Sequence, residues 1–212
     1  MSAYSQVDIR ESLENLFIDW REFEKPPLFN GAPDYRSNTF DLRSEEFNNL
    51  RNRLNLIDKE KLDVKSQVDW TLVWAEMNGY EFNHKILKPW ERDPAFYKSL
   101  WMNRSDVPAH EGPTHHMVIE VWQYDFPLSK QQLKKLTKEL SIIPSFNEQA
   151  KNNLIGNAKD LWIAGIRDIE TQVLNLESLK NLPGVKKQKD LIQIIDESIS
   201  STKSLSKWLK DE

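Results

Sequence analysis

Three of the four histidines fall within seven residues, His110-Glu111-Gly112-Pro113-Thr114-His115-His116. Imidazole and carboxylate are both zinc ligands, so this stretch is the first place to look for metal chemistry. A helical zinc-peptidase site sets two histidines four residues apart on one face, with a glutamate as base. Here His110 stands five residues before His115 and six before His116. Gly112-Pro113 also opposes a helix, so that geometry fails. What remains is a loop metal site with His110, Glu111, His115 and His116 as ligand candidates, set against the plainer reading of a solvated loop.

Other chemistry is thin. Glu76 lies among Trp74, Met77 and Tyr80, a setting where burial would raise a carboxyl pKa; an ordinary hydrogen-bonded role is the simpler reading. No serine has a Gly-x-Ser-x-Gly context, and no phosphate loop or dinucleotide fingerprint occurs. The absence of cysteine excludes disulfides, thiolate metal sites and a cysteine nucleophile. No catalytic or cofactor-binding residue is assigned.

The elements that must position any site are helices. In 212 residues, only 39% are hydrophobic and 29% are charged, but eight Trp, nine Phe and five Tyr supply large rings for burial. Apolar residues recur at helical spacing at Ile9, Leu13, Leu16, Phe17 and Trp20, behind a Ser5/Asp8 capping pattern. Pro26, Pro27, Gly31 and Pro33 then interrupt. A second helix is expected after Ser44, with Phe47, Leu50, Leu54 and Ile57 inward. A third is expected over about 65–87, with Val68, Leu72, Ala75, Phe82 and Ile86 inward. Asp93-Pro94 reads as a cap and first-turn proline for a short helix through Phe96, Tyr97 and Leu100.

After a polar loop over 103–116, residues 117–126 are ambiguous and suit one short extended segment, with Trp122, Tyr124 and Phe126 on one face. Helix resumes at Ser129 with Leu133, Leu136 and Leu140, and again at Pro144 through Phe146 and Leu154. Two long helices close the chain. One presents Leu161, Ile166, Ile169, Val173 and Leu176; after Pro183-Gly184 the other presents Leu191, Ile195, Ile199, Leu205 and Leu209. The expectation is an all-α chain: one helical domain over 1–212, built as an array of antiparallel helical hairpins. The rings of Trp90, Phe96, Tyr97 and Trp101, and of Trp122, Tyr124 and Phe126, suit a core first and a ligand groove second.

Charge and hydropathy bound the partners. Net charge is −4, and the densest basic run, Lys186, Lys187 and Lys189, is flanked by Asp190, Asp196 and Glu197. Nucleic-acid binding is therefore not expected. No apolar run reaches the ~20 residues that span a bilayer. Met1–Arg10 carries no leader pattern, which leaves a cytoplasmic chain and an exported one with its leader removed both open.

Several stretches resemble the N-terminal part of a bacterial family known as domain of unknown function 885. They are Asp69-Trp70-Thr71-Leu72-Val73-Trp74-Ala75-Glu76-Met77-Asn78-Gly79, Pro89-Trp90-Glu91-Arg92-Asp93-Pro94-Ala95-Phe96-Tyr97, Phe126-Pro127-Leu128-Ser129, Ile143-Pro144-Ser145-Phe146 and Ala150-Lys151-Asn152-Asn153-Leu154. The resemblance covers most of residues 10–180. It implies a longer, mainly helical protein, often exported and regarded as a metal-dependent peptidase, with zinc as the candidate metal of the complete architecture and no cofactor in this chain. Its metal element, similar to His-Glu-x-x-Pro-Gly-His, belongs downstream of the matched region and does not occur in this chain. The expected role is thus a non-catalytic N-terminal portion of such a hydrolase; the alternative is a standalone helical module that binds a peptide or small ligand. Partners expected on this basis are a C-terminal catalytic half or a second copy, joined through an exposed apolar face at 186–209.

Overall fold

The computed structural model describes residues 6–104, 117–156 and 158–211. Its chain gathers into two compact units, Met1–Pro26 with Arg36–Lys88, and Pro27–Tyr35 with Pro89–Glu212. The fold is mainly α, as expected, with two minimal sheets. Ser5, expected to cap the first helix, lies outside the described residues.

The first unit is built from α1 (Gln6–Glu24), α2 (Ser37–Leu56) and α3 (Val64–Phe82). Leu13, Leu16, Trp20 and Phe23 of α1 meet Phe47, Leu50 and Leu54 of α2 and Val73 and Met77 of α3 in one core. Phe17, expected in that stripe, is 40% exposed. Rings dominate the packing: Trp20 stacks on Phe23 at 5.7 Å, and Phe47 stacks on Tyr80 at 5.0 Å. A ring buried this way contributes about 2–3 kcal/mol, which is how a chain poor in aliphatic residues holds a core. Burial pushes the Tyr80 hydroxyl up to about 12, so it stays protonated near neutrality.

Helix starts in this unit follow local hydrogen bonding. Asp63 caps α3, its carboxylate accepting from the Ser66 amide at 3.0 Å and the Ser66 hydroxyl at 3.2 Å. α2, by contrast, begins well before the expected Ser44. That serine sits mid-helix, its hydroxyl donating to the Asp41 carbonyl at 2.7 Å. No side-chain cap marks the true start at Arg36, so the acids at 45–46 were a misleading signal.

In the second unit, β1 (Leu28–Phe29) and β2 (Ala32–Pro33) form a hairpin. Asn30 at φ 50° and Gly31 at φ 81° make its turn, the two left-handed positions that Asn-Gly supplies in a two-residue hairpin. α4 (Pro89–Arg92) leads to a 3-10 turn at Pro94–Tyr97. Asp93 caps that turn as expected, accepting from the Ala95 amide at 2.9 Å. The turn stops short of Leu100, which enters β3 (Leu100–Trp101) beside parallel β4 (Ile119–Glu120). The expected extended segment is therefore only two residues long. A 3-10 turn at Val121–Gln123 follows, so Trp122, Tyr124 and Phe126 do not share a strand face.

Four helices complete this unit: α5 (Lys130–Leu140), α6 (Ile142–Asn153), α7 (Lys159–Leu179) and α8 (Lys189–Asp211). Ser129 and Gln132 close a reciprocal capping box on α5. Gly184 at φ 82° turns the chain before α8. α5, α6 and α7 all pack on α8, and its Leu191, Ile195, Ile199, Leu205 and Leu209 are each at most 6% exposed. This corrects the expectation of an open apolar face at 186–209, because the stripe is already covered within the unit. Trp208 is half-buried against Trp162, with ring centroids 5.9 Å apart.

Two features fix how closely these pieces approach. A Cβ on Gly165 of α7 would sit 2.7 Å from the Ala95 backbone nitrogen and the Pro94 Cβ, so only glycine lets α7 lie against the Pro94 turn. Gln172, fully buried two turns further along the same face of α7, accepts from the Ser99 amide at 2.6 Å and the Leu100 amide at 3.0 Å. It also donates to the Thr202 hydroxyl at 3.3 Å, tying β3 to α7 and α8.

Candidate functional site

The sequence-derived candidates divide sharply. His110, Glu111, His115 and His116 lie outside the described residues. Among the described residues, no three His, Asp or Glu side chains gather where they could hold a metal ion. Glu76 takes the ordinary role: it accepts from the Trp20 indole at 3.1 Å and from the Arg21 guanidinium at 2.7 Å. Trp90, Phe96 and Tyr97 form a packed core with Tyr35 and Phe146 rather than a groove; Tyr97 lies 4.8 Å from Phe146 and Tyr35 lies 4.9 Å from Phe96, centroid to centroid. The Tyr97 hydroxyl is spent inside, donating to the Trp90 carbonyl at 2.7 Å and accepting from the Asn153 amide group at 3.0 Å.

The feature that stands out is the outer face of α3. Ser66, Trp70, Val73, Met77 and Tyr80 run along its inner side at spacings of four, three, four and three, each buried or half-buried. Val68, Leu72, Ala75, Gly79 and Phe82 repeat the same spacing two residues later, and Ile86 extends it. At 3.6 residues per turn, a two-residue offset is about 200°, so the second row lies opposite the first. Val68 is 54% exposed, Leu72 58%, Phe82 51% and Ile86 61%. These were the residues expected inward, and that expectation is reversed. The helix carries two apolar rows of equal period, and the larger rings of the first row, Trp70 and Tyr80, take the core.

Four-three spacing of apolar residues is the pattern of a seam between helices. Val64, 78% exposed, continues the row by one turn at the start of α3. A contiguous exposed apolar row of this kind usually marks a partner surface. Its centre is small and flat: Ala75 and Gly79 lie one turn apart, and a Cβ on Gly79 would meet nothing within 4 Å. A mid-helix glycine costs about 1 kcal/mol against alanine. Nothing in the described residues uses the room it leaves.

The described residues also contain no helix long and apolar enough to cross a membrane. No family model, no curated protein and no solved structure matches this chain.

Proposed function

We propose that this chain is a non-catalytic helical scaffold that docks, through the outer row of α3, onto the metal-bearing half of a peptidase-like hydrolase. The observation that carries the reading is the exposed seam Val68, Leu72, Ala75, Gly79, Phe82 and Ile86. Its small centre suits close approach of a second helix, and its apolar character suits a permanent partner rather than a transient one. The segment Asp69–Gly79, which holds Leu72, Ala75 and Gly79 of the seam, is also one of the stretches that resemble the family of domain 885. In this reading the chain walls a substrate cleft and supports zinc chemistry supplied by the partner. Its own part is positioning.

The test begins with the gene beyond codon 212. An open frame encoding a His-Glu-x-x-Pro-Gly-His element is expected. That downstream half, produced separately and titrated with this chain, should bind it, and Leu72→Asp with Phe82→Asp should abolish binding while leaving the chain folded. A stop codon directly after Glu212, or binding indifferent to the double substitution, would overturn the reading. Zinc-dependent peptide cleavage by this chain alone, lost in His110→Ala and His115→Ala, would equally overturn it.

A further inference from the structure

An open groove of about 570 Å³ runs between α5 and the first turn of α8 in the second unit. Lys130, Lys134 and Lys138 line it from α5, each one turn beyond the last, and Lys189 lines it from α8. Against these four ammonium groups the lining holds one carboxylate, Asp190. Among the described residues none of the four lysines is held in an ion pair, whereas their neighbour Lys135 pairs with Glu139 at 3.6 Å and lies over the Tyr124 ring. Like charges four residues apart weaken a helix. α5 carries two such steps along the groove wall.

We propose that this groove binds a small molecule bearing two or more phosphate groups. Its volume falls in the range of small-ligand sites. All of its cations are lysines, compact point charges that suit tetrahedral phosphate oxygens; planar carboxylates are better matched by the guanidinium fork, which is absent from the lining. Successive α5 lysines step about 6 Å along the helix axis, so the wall meets separated anionic groups rather than one. Leu133, half-buried, gives the site an apolar contact for the body of the ligand. The chain's overall negative charge disfavours a long polyanion, while the local cluster draws in a small one. The groove belongs to the second unit and the α3 seam to the first, so this proposal stands apart from the docking reading.

The probe is inorganic triphosphate, titrated calorimetrically into the full chain at about 0.15 M salt, where surface attraction is screened beyond about 8 Å. Saturable one-to-one binding with Kd below about 1 mM is expected. Lys134→Gln with Lys189→Gln should weaken it by about tenfold or more, since two of the four facing charges are gone. That variant should melt no lower than the parent, because repulsion is relieved, so lost binding would not reflect lost folding. Lys203→Gln with Lys207→Gln, exposed on α8 outside the groove lining, should leave binding intact. Citrate should bind more weakly than triphosphate. Absence of saturable binding, equal losses in the two lysine variants, or citrate binding as tightly as triphosphate would each overturn the proposal.

Discussion

α3 and α8 are both long helices with strong apolar rows, yet they end in opposite situations. α8 has one row, and three neighbouring helices cover it. α3 has two rows on opposite sides, and within its unit α1 and α2 cover only one. The difference shows that burial is decided by the number of neighbours a helix has, not by how apolar it is. A helix with one covered row is finished by its own unit. The second row of α3 stays exposed, and it is the face to which the proposal above assigns docking.

The comparison can be broken most forcefully at α8. Leu205, fully buried, should lose about 2–5 kcal/mol on change to alanine, read from urea denaturation. Amide exchange should be slow through residues 191–209; rapid exchange there would mean that the α8 row is not covered after all. A loss of similar size is expected at Gln172. Gln172→Leu strands the Ser99 and Leu100 amides, each at about 1–3 kcal/mol, and exchange at those two amides should rise more than elsewhere.

At α3 the sign should reverse. Gly79→Ala adds a methyl group to open space in a helix interior, so the isolated chain should gain about 1 kcal/mol. The same change should weaken docking, because it fills the room at the seam's centre. A loss of stability would show that Gly79 already meets something.

The smallest effect concerns Asp93. Burial raises its carboxyl pKa, opposed by the hydrogen bond from the Ala95 amide and reinforced by Asp168. An acid whose folded-state pKa is raised binds its proton more tightly when folded. Its contribution is therefore most favourable below the unfolded value near 3.8 and is lost as pH rises through the raised folded value. Asp93→Asn keeps an acceptor for Ala95 and removes the buried charge. It should be slightly more stable than the parent at neutral pH, with the advantage vanishing in acid. Asp93→Ala, which removes the cap, should lose about 1 kcal/mol instead.

Local signals with a single meaning were legible in the sequence. Asp93-Pro94 capped its turn, Ser129 opened α5, and the α8 row from Leu191 to Leu209 was named residue for residue. The Asn30-Gly31 turn is also present as a dipeptide, but Pro26, Pro27 and Pro33 around it leave no alternating strand pattern to flank it. What periodicity could not decide was which of two equal rows on α3 meets the core, since both have the same spacing. Nor could it show that α8's row finds all its neighbours within its own unit. The lysine groove was hidden for another reason: Lys189 is far in sequence from Lys130, Lys134 and Lys138, and only the packing of α5 on α8 brings them together. Gly165 and Gln172 left no signal in one sequence, because their roles are defined by what approaches them.

The most direct test sets the two rows of α3 against each other. Urea denaturation of Leu72→Gln with Phe82→Gln should give a midpoint close to that of the parent, a change within about 1 kcal/mol for two exposed positions. Val73→Ala with Met77→Ala, on the buried row, should lose at least about 3 kcal/mol. If the outer-row pair unfolds the chain as readily as the inner-row pair, the outer row is core, and α3 has no face left to dock.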